Sequence, residues 1–281
     1  MTSTDRSLAD RMDAARRIAV AHADSSQVVV RRLQVEETPA ACALLTEIWA
    51  PGKGRPPLEA SLLIALLHSD NYVAGAFARQ HLVGVCVGFC TSPAASGLHS
   101  HIAGVRTAHS GHGVGLALKL HQRAWALGRG ISTVSWTYDP LVARNAYFNL
   151  RRLGADAVDY IPDFYGAMSD GLNKGQHSDR MVVQWDIARW PPPEPAENLE
   201  VPPVLEVGRA RQPVLVDLPD TASVCRLAIP DDISALRTYD VELAESWRHA
   251  TRDAFLGLIQ NGWQVTGFDR AGFYLLEMAL V

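Results

Sequence analysis

Residues 98–130 read LHSHIAGV RTAHSGHGVG LALKLHQRAWALGRG. The first eight alternate as a strand does, so His99, His101, Ala103 and Val105 are predicted to share one face. The run SGHGVG follows, and residues 116–130 carry an amphipathic helical pattern ended by glycine. A strand that turns through glycines into a helix brings backbone amides together. Glycine permits the sharp turn, the first helical N–H groups have no internal partner, and the helix dipole is positive at that end. The combination suits a pyrophosphate; the plainer alternative is a tight strand-to-helix connection. The spacing of Gly111, Gly113 and Gly115 is not that of a dinucleotide-binding fingerprint, and no Gly-Lys-Ser/Thr follows to make a nucleotide P-loop.

Upstream, residues 5–24 form a charged helical pattern, residues 28–33 a strand, and Thr38 and Pro39 are placed to open a helix through Trp49 as N-cap and first helical residue. Residues 51–57 are a loop and 58–68 a second apolar helix. Residues 72–78 and 81–91 read as two strands joined by a short turn at Arg79 and Gln80. Downstream come a strand at 131–138, a helix at 142–153 ended by Gly154, and strands near 155–161 and 181–187. The proline- and glutamate-rich residues 191–203 form a stiff, solvated linker. Beyond it lie a strand at 223–230, one long helix from about 232 to 260, and a closing hairpin that turns near Ala271 and Gly272. The expected organisation is an N-terminal helix (1–27), a core domain (28–190), the linker (191–203) and a strand–helix–hairpin extension (204–281) packed on the core. The fold class is mixed α/β: a largely antiparallel twisted sheet flanked by helices, with a small C-terminal α+β extension.

The chain has 281 residues, 48% hydrophobic and 20% charged, which supports a globular core and excludes wholesale disorder. A net charge of −4 without basic runs argues against nucleic acid as a partner, since phosphate neutralisation needs clustered cations. No apolar run approaches the roughly 20 residues that span a bilayer, so no membrane partner is expected. The N-terminal MTSTDRSLADRMDAARR alternates charges and does not read as a signal peptide. Cys42, Cys86, Cys90 and Cys225 show no paired spacing, which points to a reduced, cytoplasmic compartment. Cys86 and Cys90 read as small core residues of a strand.

The arrangement resembles the GNAT superfamily of acyl-CoA N-acyltransferases. There, a strand ending in V-x-P leads to [R/Q]-x-x-G-x-[G/A], whose amides hold the CoA pyrophosphate. Val105 matches the strand end, and Gly113 and Gly115 match the motif glycines; Thr107 and Ser110 depart from the usual proline and Arg/Gln. Ala146 and Gly154 match the second CoA-contacting segment, and Leu150 stands where a thiolate-protonating tyrosine is common. SHIAGV, WTYDPL, RNAYFNLRRLGA, YGAMSDGLNKG, SDRMVVQWD and the tail WRxxTRxxF (Trp247 to Phe255) resemble one less-studied branch with a C-terminal extension, some of whose members are linked to N-acylation or N-succinylation of amino acids.

The resemblance implies transfer of an acetyl or succinyl group from acyl-CoA to a small primary amine, such as an amino acid, by direct attack in a ternary complex. A non-catalytic acyl-CoA sensor or scaffold is the alternative. The CoA-binding residues implied are Val105, Ser110, Gly111, His112, Gly113, Val114, Gly115, Leu116 and Asn145, the last of these otherwise a helix cap. Acyl transfer needs a base for the ammonium, donors for the oxyanion and an acid for the thiolate. His101, then His99, are the titratable groups on the strand face where the family places its base, and a histidine suits neutral pH. Tyr147 is either an alternative acid or a core tyrosine. Tyr165, Asn173, Asp179 and Arg180 form the candidate substrate cluster, in which an arginine would pair with a carboxylate; Asp179 and Arg180 otherwise make a surface turn. Asp139 starts a turn at the pocket mouth, Lys53 and Arg55 sit on a loop able to close over the acceptor, and Trp247, Arg248 and Arg252 pack the extension or support the pocket. Five histidines lie in 23 residues (99–121), but their spacing fits no compact ligand set, so no metal is expected. Coenzyme A and the amine acceptor are the expected partners, with a homodimer left open.

Overall fold

The structure is a computed structural model that describes residues 3–49, 56–92, 95–166, 177–192 and 201–279. In chain order its elements are α1 (Ser3–Ser25), β1 (Val29–Arg32), α2 (Thr38–Trp49), α3 (Ala60–His68), β2 (Tyr72–Ala78), β3 (His81–Cys90), β4 (Gly97–Val105), α4 (Val114–Leu127), β5 (Thr133–Tyr138), α5 (Ala143–Ala146) continuing into a π-turn (Tyr147–Arg152), β6 (Asp156–Ile161) and β7 (Arg180–Asp186). Then follow β8 (Pro203–Val207), β9 (Pro213–Leu215), β10 (Val224–Ala228), α6 (Ile233–Tyr239), α7 (Val241–Gln260), β11 (Trp263–Phe268) and β12 (Phe273–Met278). In hydrogen-bond order one sheet runs β1-β2-β3-β4-β5-β7-β6 and the other β11-β12-β10-β8-β9. The mixed α/β class, largely antiparallel and helix-flanked with a smaller C-terminal α+β part, is therefore as the sequence suggests.

Two compact units divide the chain. The first comprises Met1–Ser135 with Asp186–Ala188, the second Trp136–Trp185 with Arg189–Val281. In the first, β1 to β4 are antiparallel neighbours and β4 pairs in parallel with β5 through residues 97–99 and 133–135. The β2–β3 hairpin closes through Arg79 and Gln80, both at positive φ, the turn whose twist matches paired strands. One layer of core sets Leu44 and Leu45 of α2 and Leu63 of α3 against Val73, Val85 and Val87 of the strands. α4 lies on the other side, with Leu118 beside Gly84. α1 runs antiparallel to α4: Ser26 meets Gly113 at one end and Met12 meets Gly128 at the other.

Three local readings change. Thr38 is already helical (φ −62°, ψ −35°), and its hydroxyl donates to Val35 O at 2.8 Å. The helix entry is instead a single 3₁₀ turn at Val35–Glu37, where the Glu37 carboxylate accepts the Gln34 N–H at 2.8 Å. Cys86 is buried, but Cys90 is exposed because β3 outruns its cover there. In the second unit the expected long helix breaks into α6 and α7 at Asp240, whose carboxylate accepts the Leu243 N–H and starts a new helix. Two short strands, β8 and β9, precede the strand expected at 223–230.

Candidate functional site

The glycine turn is built as an anion cradle. A 3₁₀ turn (Thr107–His109) leads into extended Ser110; Gly111 and Gly113 then take φ of +81° and +84°, a region that L side chains disfavour. Gly113 is the N-cap of α4, and its carbonyl accepts the first helical N–H, that of Ala117, at 3.0 Å. Among the described residues the N–H groups of 111–116 donate no backbone hydrogen bond, so Gly111 to Leu116 present consecutive free donors at the positive end of a 14-residue helix. A side-chain carbon at Gly111 or Gly115 would meet nothing within 4 Å, whereas one at Gly113 would lie 2.5 Å from Ser26 Oγ. Val114 and Leu116 turn their side chains into the core and offer only amides. Ser110 and His112 are exposed, and Val105 is half-buried.

β4 is not a regular strand. Val87 pairs with Ile102 but Gly88 with Ser100, which leaves His101 as the extra residue of a β-bulge. The alternation predicted across residues 99–105 therefore breaks. His99 and His101 do lie together, their rings 6.2 Å apart and 5.0 and 5.9 Å from Phe89. Ala103 and Val105 pair with Cys86 and Gly84, on the side that faces α4. Partial burial depresses both histidines below the usual imidazole value; for His99 the charges of His101 and Lys119 add to it. Both are thus poised as neutral bases near neutral pH.

Under the bulge lies a polar cluster that the sequence reading passed over. Lys119 of α4 is buried and donates to Ser100 Oγ at 2.8 Å and Gln122 Oε1 at 3.3 Å. Gln122 Nε2 reaches Cys86 Sγ at 3.5 Å, and Cys86 Sγ lies 3.9 Å from Ser100 Oγ. Burial lowers the Lys119 ammonium to about 8 and raises the Cys86 thiol. The available signal was a lysine inside the apolar run LALKL, at a position that helical periodicity assigns to the buried stripe.

Asn145, Tyr147, Tyr165, Asp179 and Arg180 belong to the second unit, whereas His99, His101 and the glycine turn belong to the first. Val142, not Asn145, is the N-cap of α5, and no hydrogen bond of the Asn145 side chain is present among the described residues. Tyr147 opens a π-turn, a form frequent at functional sites, and its oxygen accepts from Arg270 Nε at 3.0 Å. Leu150 is buried in the same turn. Tyr165 is exposed, stacks edge-on with Phe164 at 4.6 Å and lies under the Arg180 guanidinium at 5.2 Å. Asn173, Lys53 and Arg55 lie outside the described residues.

Asp179 is fully buried rather than part of a surface turn. Its carboxylate accepts from Arg252 (Nη2 2.5 Å, Nε 2.9 Å), from the Tyr160 hydroxyl (2.6 Å) and from the Asp163 N–H (3.2 Å). Asp139 is buried as well and does not face a pocket mouth; it receives Arg237 at 2.5 Å and Arg248 at 2.9 Å. Burial alone would raise both carboxyls. For Asp139 the charges of Arg248 and Arg237 outweigh it, and for Asp179 the hydrogen bonds of Arg252 and Tyr160 do, so both stay ionised. The WRxxTRxxF tail thus supplies two of these three counter-charges, Arg248 and Arg252, and the Trp247 indole donates to Arg211 O at 2.8 Å.

No protein-family model and no curated protein matches the chain. Among solved structures it is similar to the ribosomal-protein-S18-alanine N-acetyltransferase from Escherichia coli, with 14% identity over 61% of this chain and 98% of that one and a TM-score of 0.46. It is also similar to an N-acetyltransferase from Staphylococcus aureus Mu50 (10% identity, 57% and 98% coverage, TM-score 0.48). A third similar structure is Naa50 from Arabidopsis thaliana in complex with a CoA bisubstrate analogue (12% identity, 56% and 97% coverage, TM-score 0.43).

Proposed function

We propose that this protein is a GNAT-type N-acyltransferase that moves an acetyl or succinyl group from acyl-CoA to a small primary amine, an amino acid being the leading acceptor. The observation that carries the reading is the row of free amides at residues 111–116, capped by a left-handed glycine and open at Gly111 and Gly115. A CoA pyrophosphate is the anion such a row fits, because it needs several converging donors and no side-chain cation. That accounts for Ser110 in place of a basic residue and for a chain of net charge −4.

In this reading His101, on the bulge of β4, takes the proton of the incoming ammonium, with His99 beside it as relay. The amine nitrogen bonds to the thioester carbon, the nitrogen gives its second proton to solvent as the carbon–sulfur bond breaks, and the thiolate is protonated. Tyr147 is the group assigned to that last step: its oxygen accepts from Arg270, which leaves its own proton free to be donated. Asn145 holds pantetheine amides, and Arg180, beside Tyr165, receives an acceptor carboxylate. Asp179 serves as a positioning residue that orders the strand start before Arg180. Acetyl-CoA and succinyl-CoA mixed with a panel of amino acids, with free thiol release measured, test the reading. Turnover with one acceptor supports it, and no CoA binding at all overturns it. Leu150 in place of the usual tyrosine favours the sensor as second reading; tight CoA binding without turnover would select that one.

A further inference from the structure

A cavity of about 480 Å3 lies between α1, β1 and α4, all within the first unit. Its α4 residues begin at His121, seven positions beyond Val114, so about 10 Å or more of helix separate it from the free amides. The size is within the range that small-molecule sites occupy. The floor is apolar: Ala19 and Ala23 of α1, Val28 and Val30, and Ala124 and Trp125 of α4. Val20 and Val29, 60% and 61% exposed, stand at its rim. The lining holds three arginines, Arg16, Arg32 and Arg129, and one acid, Asp24; just outside it Asp13 lies 3.4 Å from Arg16 and Asp70 pairs with the other two.

Apart from Asp24 and His121, the polar side chains in the wall are donors. Arg32 and Arg129 share the Asp70 carboxylate at 2.7 and 2.9 Å, yet Arg32 Nε is buried with no hydrogen-bond partner among the described residues, as is the indole N–H of Trp125. The Arg129 guanidinium lies 4.0 Å over the Trp125 ring. His121 Nδ1 is 2.9 Å from the Tyr72 hydroxyl. Tyr72 is wholly buried and stays protonated, and its hydroxyl also reaches Leu118 O at 3.3 Å. An apolar floor with donors and cations at its edge fits a molecule with a hydrocarbon or aromatic body and a carboxylate head.

We propose that this cleft binds an amphipathic monocarboxylate of fatty-acid type, at a site separate from the glycine turn. Isothermal titration of the full chain with decanoate tests it, against decyltrimethylammonium, which has the same tail and the opposite charge. Decanoate is expected to bind one-to-one and about tenfold more tightly than the cation. A23F, which fills the cavity, is expected to weaken decanoate about tenfold. V20D alters only an exposed rim position and so leaves folding intact; it is expected to weaken decanoate at least about threefold and to strengthen the cation. Absence of saturable decanoate binding overturns the proposal. So do equal affinities for the two amphiphiles, unchanged decanoate affinity in V20D, or sedimentation as a dimer that buries Val20 and Val29.

Discussion

His101 carries the clearest residue-scale prediction. Its pKa is lowered from 6.5 by burial, so the neutral base persists as pH falls below that value. The acid limb of kcat/KM for acyl transfer is expected below pH 6.5. H101A should reduce kcat about a hundredfold while CoA affinity, read by titration, stays the same; unchanged turnover removes His101 from the mechanism. His121 makes the complementary point about stability. Burial lowers it from 6.5 to about 4, so between those values the unfolded chain holds a proton that the folded chain does not. Stability therefore falls as pH drops from 6.5 towards 4, by up to about 3 kcal/mol. H121Q keeps a hydrogen-bonding group beside Tyr72 and should flatten that slope in denaturant melts at pH 4.5 and 7. The two histidines were equally visible in the sequence. What separates them is location: His101 sits on a bulge at the half-exposed edge of a cluster, His121 under a helix against a tyrosine.

At the scale of elements, the strand–glycine–helix unit was legible because each part has its own signal: alternation in β4, three glycines, and a helical period from Leu116 onward. The bulge was not, since an extra residue in one strand is defined by the partner strand and leaves the local alternation intact on either side. The same holds for the break at Asp240, where the apolar periodicity continues across a capping side chain. The turn itself can be tested by its backbone. G111A and G113A both place a side chain at positive φ, which costs about 1 kcal/mol. Only at position 113 does the new carbon also meet Ser26, and a serine hydroxyl can rotate away. Both variants are therefore expected to lose similar stability in thermal melts, with G113A the slightly worse. Both should weaken CoA binding by distorting the amide row, and S26G should recover part of the stability of G113A but none of that of G111A. Equal CoA affinity in wild type and G113A would show that the amides at 111–116 do not hold the anion.

Across the whole molecule, the division between compact units falls inside β5, at Ser135 and Trp136, where SWTY carries no change of composition. The proline-rich stretch at 191–203 is the loudest signal in the sequence, yet residues on both sides of it share the second unit. The reason lies in long-range charge pairing, which no local pattern encodes: Asp139 and Asp179 precede the stretch, and Arg237, Arg248 and Arg252 follow it. A buried carboxylate that loses its guanidinium partners typically destabilises a fold by about 3–5 kcal/mol, a large part of what an ordinary domain has in total. A chain cut after residue 190 would strip both buried aspartates of these arginines at once, and would also remove Phe255 from its stack on Tyr160 at 5.1 Å. Such a chain is expected to lose cooperative unfolding and resistance to limited proteolysis in residues 136–185. R248M in the full chain should cost about 3 kcal/mol or more, because the buried Asp139 then loses one of its two arginines. D139N paired with R248M should recover part of that loss, since it removes the stranded charge together with its partner. If the truncated chain melted as sharply as the full one, the arginines of the tail would be ornaments of the extension. If R248M alone destabilised no more than the double variant, Asp139 would not be held ionised by them.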